Sequence, residues 1–412
     1  MSDFLVMMLH NSKMVKKEIL SLSEKVLNSV IAIRRHLHQY PELSFQEYQT
    51  SQYIESLLNE WNIPFQRIAK TGLIAYLGNF QSKNTIAIRA DIDALPIQEK
   101  NQCSYASKVP NVMHACGHDV HTASALGVAL VMQSIFKKYL NNNACIKILF
   151  QPGEEVLPGG ATLMIKEKAL QKPKVQSILA QHVFPDLETG KVGFRTGPYM
   201  ASTDEIYITI KGKGGHGAMP ERSNNPIPVA AHLISTISKE YPLERLLREQ
   251  IVLTFGKVIA NGSTNVIPET VEIAGTMRTL NQNVREKLYR YLKNITQKFA
   301  KRYSINIQIN IVKGYPPLIN DPKLTSFFKD KAIELLGKKN VVDLPIRMTA
   351  DDFAYYLQKV PGTYYRLGTA NKKKGIIHNV HTSYFDIDEN ALFYGTSTMS
   401  WLAWSYLSAY HS

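Results

Sequence analysis

Hydrophobic and polar positions follow one pattern, typical of alternating helices and strands, over the first half of the chain. Residues 15–61 carry apolar side chains at three- and four-residue spacing, which predicts helices interrupted by a turn at 40–42. Another helix is predicted over 121–140. Short apolar runs predict strands at 73–77, 85–88, 146–150 and 177–183. Strands that alternate with helices favour an α/β fold with helices on both faces of the sheet.

The pattern of hydrophobic and polar positions is different between residues 197 and 314. There the pattern predicts strand, helix, strand, strand, helix and strand, at 205–211, 226–238, 251–258, 270–277, 283–300 and 305–312. This order is a split βαβ unit of the ferredoxin-like kind. After it the first pattern returns, with helices predicted at 322–336, 350–358 and 389–407 around one strand at 364–367.

Two domains are expected, because 412 residues exceed the size at which one hydrophobic core usually stops growing. We predict the α/β class, with a main domain that has a mixed sheet flanked by helices. This domain is built from residues 1–196 and 315–412. Residues 197–314 form an inserted ferredoxin-like (βαββαβ) domain.

Composition fits a globular protein, with 44% hydrophobic and 20% charged residues. The formal net charge of +14 is compatible with nucleic acid or with another anionic partner. However, the Lys and Arg residues are spread along the chain, the longest run is 372–374, and no nucleic-acid module is recognisable. We therefore expect an anionic small substrate and no nucleic acid.

The chain has three cysteines, which are too few, and odd in number, for a disulfide framework. This indicates a reducing compartment and a cytoplasmic protein. The apolar run at 4–9 is too short for a secretory signal, and no small-residue cleavage pattern follows it. No stretch approaches the length needed to cross a bilayer, so no membrane partner is expected.

The densest cluster of chemically reactive side chains is MHACGHDVH at residues 113–121. Three His, a Cys and an Asp around one Gly supply more metal-coordinating groups than a structural loop requires. Each His alone is more often a packed or capping residue, and Cys116 has the alternative of a small buried hydrophobe. Their density favours a metal site.

A second cluster, QPGEE at residues 151–155, directly follows an apolar strand. Adjacent carboxylates point in different directions, so one can hold a metal while the other faces the reacting water. A solvated surface pair is the alternative for Glu154 and Glu155. Their position beyond a buried strand favours the site, because open α/β sheets bind ligands at strand ends.

Three further positions lie near predicted strand ends. His182 and His381 are candidate ligands, although a lone His is usually a satisfied core residue. Asp93 can orient a ligating His from behind, a role that metal sites usually need. For the neighbouring Asp91, a turn or a helix cap before Pro96 is nearly as good an interpretation.

The inserted domain carries a Gly-rich loop at 212–218 around His216. The GK[ST] ending of a phosphate-binding loop is missing, so we favour a loop that presents the imidazole to a substrate carbonyl. Asn265 and Arg278 are further polar residues near strand ends. Arg278 suits bidentate capture of a carboxylate, with a surface salt bridge as the alternative.

Together these motifs resemble the aminoacylase, hippurate hydrolase and indole-acetyl-amino-acid hydrolase group of metallopeptidases, over roughly residues 30–395. The motifs that carry the resemblance are RHLH at 35–38, PELS at 41–44, RADIDALP at 89–96, MHACGHDVH at 113–121, FQPGEE at 150–155, GGHGA at 214–218 and NVIP at 265–268.

The resemblance implies a catalytic α/β domain with a metal centre and a smaller lid domain that often also dimerises, hence a homodimer or a higher homo-oligomer. It implies five metal ligands: Cys116, His118, Glu155, His182 and His381. It also implies that Glu154 is the general base and acid, that Asp93 supports a ligand, and that three lid residues contact substrate: His216, Asn265 and Arg278.

Some positions depart from the group's pattern. Glu221 and Asn225-Pro226 stand where the group usually has a His and, later, Asp-Pro, and MTADDF at 348–353 replaces the usual Met-Gly-x-Glu-Asp-Phe. Neither departure removes an expected ligand or the expected base. They leave the substrate range open.

The sequence therefore predicts a metal-dependent amidohydrolase that converts an N-acyl-L-amino acid (N-acetyl, N-benzoyl or similar) to a carboxylic acid and a free amino acid. One or two divalent ions are expected, and zinc, manganese, nickel or cobalt suits a mixed Cys, His and Glu set. The alternatives are a metallo-dipeptidase or carboxypeptidase with the same centre, and a noncatalytic metal-dependent binding protein.

Overall fold

A computed structural model describes residues 2–140 and 143–409, and for residues 2–11 the backbone alone, so the side chains of the apolar run at 4–9 lie outside the described residues. The helices are α1 (Ser2–Gln39), α2 (Tyr48–Glu60), α3 (His118–Tyr139), α4 (Gly160–Lys166), α5 (Pro226–Glu240), α6 (Leu243–Arg248), α7 (Gln282–Tyr303), α8 (Pro322–Leu336), α9 (Ala354–Leu357) and α10 (Ala391–Ala409).

The strands of the first half of the chain are β1 (Phe65–Ile68), β2 (Gly72–Gly78), β3 (Thr85–Asp91), β4 (Cys145–Gln151), β5 (Ser177–Glu188), β6 (Val192–Phe194), β7 (Gly197–Met200) and β8 (Asp204–Lys211). Those of the second half are β9 (Gly215–His216), β10 (Ile251–Ile259), β11 (Val266–Ile267), β12 (Thr270–Thr279), β13 (Asn306–Lys313), β14 (Leu318–Asn320), β15 (Val341–Asp343) and β16 (Gly362–Ala370).

The chain divides into two compact units. The first comprises Met1–Gly197, Asn320–Pro345 and Tyr355–Ser412. It contains an eight-stranded sheet in the order β1-β2-β4-β3-β5-β16-β6-β15. The central strands β4, β3, β5 and β16 are parallel to one another, while β2 joins β4 and β6 joins β16 in the antiparallel sense. The mixed sheet flanked by helices is confirmed.

The core of this unit follows from strand alternation. Ile86, Ile88 and Ala90, spaced by two along β3, share one hydrophobic core with side chains of α1, α3, α8 and α10. The central strands read as continuous apolar runs because both faces of the sheet are covered. The parallel strands end together, so Asp91 and Gln151 stand side by side.

Helix α3 is long and apolar enough to cross a membrane by length and composition, contrary to the expectation from the sequence. However, 83% of its apolar window is buried inside the fold. A helix that is covered by the fold on nearly all sides is hydrophobic around its whole circumference, as a membrane-spanning helix is. The apolar composition of α3 is therefore also that of a helix in a protein core. The expectation that no stretch reaches this length was wrong; in this structure the helix packs against α1 and α10.

The second unit comprises Pro198–Ile319 and Ile346–Ala354. Its four-stranded antiparallel sheet has the order β10-β12-β8-β13. Along the chain the sheet strands and the long helices follow one another as β8, α5, β10, β12, α7 and β13. Asn225 and Asn281 accept backbone N–H groups at the starts of α5 and α7, so both helices begin at a capping side chain.

The segment 346–354 differs from the sequence prediction in two ways. A helix was predicted over 350–358, but only Ala354–Leu357 is helical. The segment was also assigned to the main domain, whereas the structure groups it with the second unit. The reason is hydrogen bonding: Ala201 N donates to the carbonyls of Arg347 and Thr349, and Arg278 Nη1 donates to that of Met348.

Candidate metal centre

The loop that carries the densest cluster turns sharply at Gly117. Its backbone has a φ of 81°, in the left-handed region, and a Cβ there would lie 2.6 Å from a methyl carbon of Val183. Only glycine fits both conditions without strain. The turn buries Cys116 in the loop and starts α3 at His118, so the two side chains stand at the same end of the helix.

Four of the predicted ligands lie close to one another. Cys116 Sγ is 3.5 Å from His182 Nε2 and 3.3 Å from His381 Nε2. His381 Nε2 is also 3.3 Å from Glu155 Oε1. Thus four side chains that are far apart in the sequence are joined by short contacts, with Cys116 between the two imidazoles.

The fifth predicted ligand, His118, approaches from α3. Its Nε2 lies 3.9 Å from Glu155 Oε1 and, among the described residues, has no hydrogen-bond partner although it is buried. Its Nδ1 donates to the carbonyl and to the carboxylate of Asp93, at 2.9 and 3.1 Å. One nitrogen is therefore fixed from behind, and the other is left for a ligand.

These donors suit a divalent cation. Three sets of three, each with donor atoms within 4.8 Å of one another, cover the five predicted ligands and Glu154: Cys116, His118 and His182; Cys116, Glu155 and His381; His118, Glu154 and Glu155. Thiolate, imidazole and carboxylate are the ligand types of zinc and similar ions. A buried imidazole nitrogen without a partner is costly unless an ion or a proton uses its lone pair.

The pKa values of two side chains in this cluster are shifted strongly from their usual range. Burial, with the charges of Glu155 and Glu154, holds the pKa of Cys116 well above its usual range. Burial opposes protonation of His118, but Asp91 and Asp93 outweigh it and raise its pKa to about 10. An anionic surrounding of this kind attracts a cation, and a bound cation would displace the thiol proton.

Glu154 lies beside the predicted ligands, buried and with an exposed fraction of 7%. Its carboxylate belongs to the cluster that includes His118 and Glu155. Adjacent positions on the short loop after β4 thus bring two carboxylates close to His118.

The second unit brings two of its predicted residues together. Strand β9 pairs with β11 so that His216 lies opposite Val266, and Gly217 N donates to the carbonyl of Asn265 at 2.8 Å. Ala218 N donates to His216 Nδ1 at 3.1 Å, which leaves the ring proton of a neutral imidazole on Nε2. Arg278 lies on β12 and donates to the Met348 carbonyl, at 3.0 Å.

Comparison with known proteins decides the family. The sequence profile of Peptidase family M20/M25/M40 matches residues 87–404. The chain belongs to this family. An N-acetyl-L-cysteine deacetylase of Bacillus subtilis (strain 168) is 38% identical over 374 residues, 90% of this chain and 86% of the relative. An N-acyl-L-amino acid amidohydrolase of Geobacillus stearothermophilus is 39% identical over 310 residues, 74% of this chain and 82% of the relative.

A solved structure from Bacillus subtilis, described as a dinuclear metal-binding peptidase of the M20 family, has a TM-score of 0.79 and 32% identity with this chain. The match covers 93% of this chain and 99% of the chain of the solved structure. The family resemblance inferred from the motifs is thereby confirmed. The chain is a hydrolase of the M20 metallopeptidase family, and its cluster of candidate ligands matches the metal-binding character of that neighbour.

Sequence reasoning missed several residues that hold the centre of this M20-family chain in place. Glu47 is fully buried and accepts the backbone N–H of Gly153, at 2.8 Å, and the hydroxyl of Thr71, at 2.7 Å. It therefore braces the loop that carries the two adjacent carboxylates. Glu47 lies more than a hundred positions from that loop, and a lone Glu after a turn carries no local pattern that reveals such a contact.

A second support links α1 to the start of α3. Arg34 Nε donates to Asp119 Oδ2 at 2.8 Å, and His38 Nδ1 lies 2.7 Å from the same oxygen. All three side chains are buried. His38 belongs to the RHLH motif, which was recognised only as part of the resemblance, and Arg34 precedes that motif. A buried Arg and a buried His on a helix nevertheless signal a polar partner.

Proposed function

We propose that the chain is a metal-dependent amidohydrolase that cleaves the amide bond of N-acyl-L-amino acids. The observation that carries the proposal is the cluster of Glu154, Glu155 and His118, whose donor atoms lie within 4.8 Å of one another. A carboxylate that serves as general base must stand next to the metal ligands, because it takes its proton from water held there.

In the proposed mechanism one or two divalent ions are held by five side chains: Cys116, His118, Glu155, His182 and His381. Such an ion, when bound, polarises a carbonyl oxygen and makes water more acidic. Glu154 accepts the proton of the attacking water and then delivers it to the nitrogen of the leaving amino acid. Its burial keeps competing water away from this proton transfer.

We assign the residues of the second unit to the substrate. His216 is held by Ala218 so that its Nε2–H is free to donate to a carbonyl oxygen that gains negative charge. Asn265 is joined to the same loop through the Gly217 N–H. Arg278 offers guanidinium N–H groups for the α-carboxylate of the amino acid.

The substrate class rests on charge and on the relatives. The net charge of +14 favours anionic substrates, and an N-acyl amino acid carries one carboxylate. Two of the relatives are described as acting on N-acetyl-L-cysteine and on N-acyl-L-amino acids. A dipeptide instead carries a free ammonium group at the position of the acyl chain.

We further propose that the second unit is a ferredoxin-like lid that also pairs two chains into a homodimer. The order of its sheet, β10-β12-β8-β13, and the sequence of its elements support this assignment. Strands β10 and β13 are its two edges, and an edge strand offers unpaired backbone groups to a second copy. Sedimentation of the purified protein tests the homodimer; a monomer at micromolar concentration contradicts it.

The deciding experiment is an assay of amino acid release from N-acetyl, N-benzoyl and indole-acetyl amino acids and from dipeptides. Each substrate is tested after chelation and after re-addition of zinc, manganese, nickel or cobalt. We expect metal-restored release from one acyl class. Faster release from dipeptides would support the peptidase alternative, and no release with any metal would leave a metal-dependent binding protein.

A further inference from the structure

His121 is buried beside the candidate metal centre, yet it is not one of the five expected ligands. Its exposed fraction is 1%. Its Nδ1 lies 2.6 Å from Asp91 Oδ1, and its Nε2 lies 2.9 Å from the backbone nitrogen of Val183. A backbone N–H can only donate, so Nε2 accepts and Nδ1 carries the ring proton. His121 is therefore a neutral bridge with both nitrogens in use.

The far end of this bridge is next to a metal ligand. Val183 follows His182, and His182 Nδ1 donates to the carbonyl of Val183 at 2.8 Å. The main chain of Val183 is thus held on its N–H by one imidazole and on its C=O by another. The second hydrogen bond turns the His182 ring so that its Nε2 lies 3.5 Å from Cys116 Sγ.

The near end of the bridge is fixed at the tip of β3. The Asp91 carboxylate pairs with the buried guanidinium of Arg89, and the Asp91 carbonyl accepts the hydroxyl of Thr122 at 3.0 Å. Arg89 Nε in turn donates to Gln151 Oε1 at 3.0 Å. Since Asp91 cannot turn without breaking these contacts, it gives His121 a rigid support.

We propose that His121 is a positioning residue, which sets the orientation of His182 through the main chain of Val183. Donor atoms of His121, Asp91 and His118 also lie within 4.8 Å of one another, so ligation by His121 itself is the rival. The hydrogen bonds decide against the rival, because neither nitrogen of His121 has a lone pair left for an ion. The inference rests on the metal centre of the proposed function and is independent of the substrate.

Two substitutions separate the two hydrogen bonds of the ring. His121→Asn places an amide N–H near the position of Nδ1 and retains the bond to Asp91, but it is too short to reach Val183. His121→Gln reaches further and places its amide oxygen where Nε2 stands, so it retains the acceptor for Val183. His232→Asn is the control, because this ring lies in the second unit, where it bonds to Tyr303.

Metal affinity is measured by competition with a chromophoric chelator, and the Val183 amide is followed by hydrogen exchange in the metal-free protein. For His121→Asn we expect affinity to fall about 10- to 100-fold, the usual effect of losing a residue that supports a ligand. The Val183 amide should exchange faster, and the thiolate-to-metal absorption of the cobalt-loaded protein should change. For His121→Gln and His232→Asn all three readouts should stay close to wild type.

Wild-type affinity and absorption in His121→Asn would overturn the inference, because the ring would then only fill space. An equal loss in both His121 variants would overturn the acceptor role. If His121→Asn does not accumulate as folded protein, His121→Gln decides alone: retained affinity supports the acceptor role and lost affinity contradicts it. A wild-type protein that binds no metal would instead remove the proposed function, so the two failures are distinguishable.

Discussion

Asp93 holds His118 from behind, because the ring Nδ1 donates to both its carbonyl and its carboxylate, at 2.9 and 3.1 Å. The other carboxylate oxygen accepts the backbone N–H of Glu155 at 3.0 Å and the hydroxyl of Ser44 at 2.6 Å. One buried side chain therefore fixes two of the expected ligands. Burial opposes its negative charge, but the hydrogen bond and the charge of His118, with the Glu155 N–H and the Ser44 hydroxyl, outweigh burial and lower the pKa of Asp93.

Asp93→Ala should therefore weaken metal binding by about 10- to 100-fold, because both His118 and Glu155 lose their support. Titration calorimetry with zinc measures the change. Ser44→Ala is the matched control, since it removes a hydrogen bond to the same carboxylate but touches no expected ligand. Equal affinity losses in the two variants would contradict the assignment of Asp93 as the support of the ligands.

Glu154→Gln should reduce turnover by at least about 100-fold, because the amide cannot accept a proton from water. Metal content, measured by mass spectrometry of the purified protein, should stay near that of wild type. Glu188→Gln provides the control, because Glu188 lies on the surface of the same unit and pairs with Lys191. Retained turnover in Glu154→Gln would overturn its role as general base.

Gly117→Ala should destabilise the protein by about 3 kcal/mol, the sum of a left-handed backbone penalty and of overpacking against Val183. Gly375→Ala isolates the first contribution. Its φ is 72°, and a Cβ there meets nothing within 4 Å among the described residues. It should cost only about 1 kcal/mol. Urea unfolding measures both; equal values would mean that Val183 yields to the added methyl.

Arg34→Ala should cost about 3 to 5 kcal/mol, because it leaves Asp119 charged and buried without its main cation. The neighbouring residue supplies the control. Arg35 pairs with Glu389 at 2.6 Å, but its side chain is 44% exposed, so Arg35→Ala should cost about 1 kcal/mol or less. Thermal and urea unfolding compare the variants. Similar losses would show that the buried pair adds little stability.

The sequence predicted the positions of the expected ligands well, because strand ends can be recognised from local patterns. An apolar run followed by polar residues locates Glu154 and Glu155 after β4, and His182 lies within β5, whose neighbour β3 ends close to it. Helix α3 was expected to start at 121, and it starts at His118 because the loop turns at Gly117. Such a boundary depends on backbone geometry that composition does not determine.

What the sequence did not predict depends on contacts between distant segments. Strands β6 and β15 have three residues each, and they form because β6 hydrogen-bonds to β16 and β15 hydrogen-bonds to β6. Glu47 lies just before α2 and Arg34 lies on α1, and no local sequence pattern identifies the partner of either side chain. Their partners, the Gly153 N–H and Asp119, become visible only when the sheet brings the segments together.

Lys147 provides a test of stability against pH that is separate from the metal centre. It is fully buried on β4, where its ammonium donates to the carbonyls of Ala169 and Gln171, and burial lowers its pKa from 10.5 to about 8. Above pH 8 the folded protein releases this proton while the unfolded chain still retains it. The free energy of unfolding of wild type, compared with that of Lys147→Met, should therefore rise as the pH increases from 8 to 10.5. It should decrease again as the pH is lowered toward 7. Urea unfolding at several pH values measures this difference. A difference that is constant with pH would show that the folded protein retains the charge on Lys147.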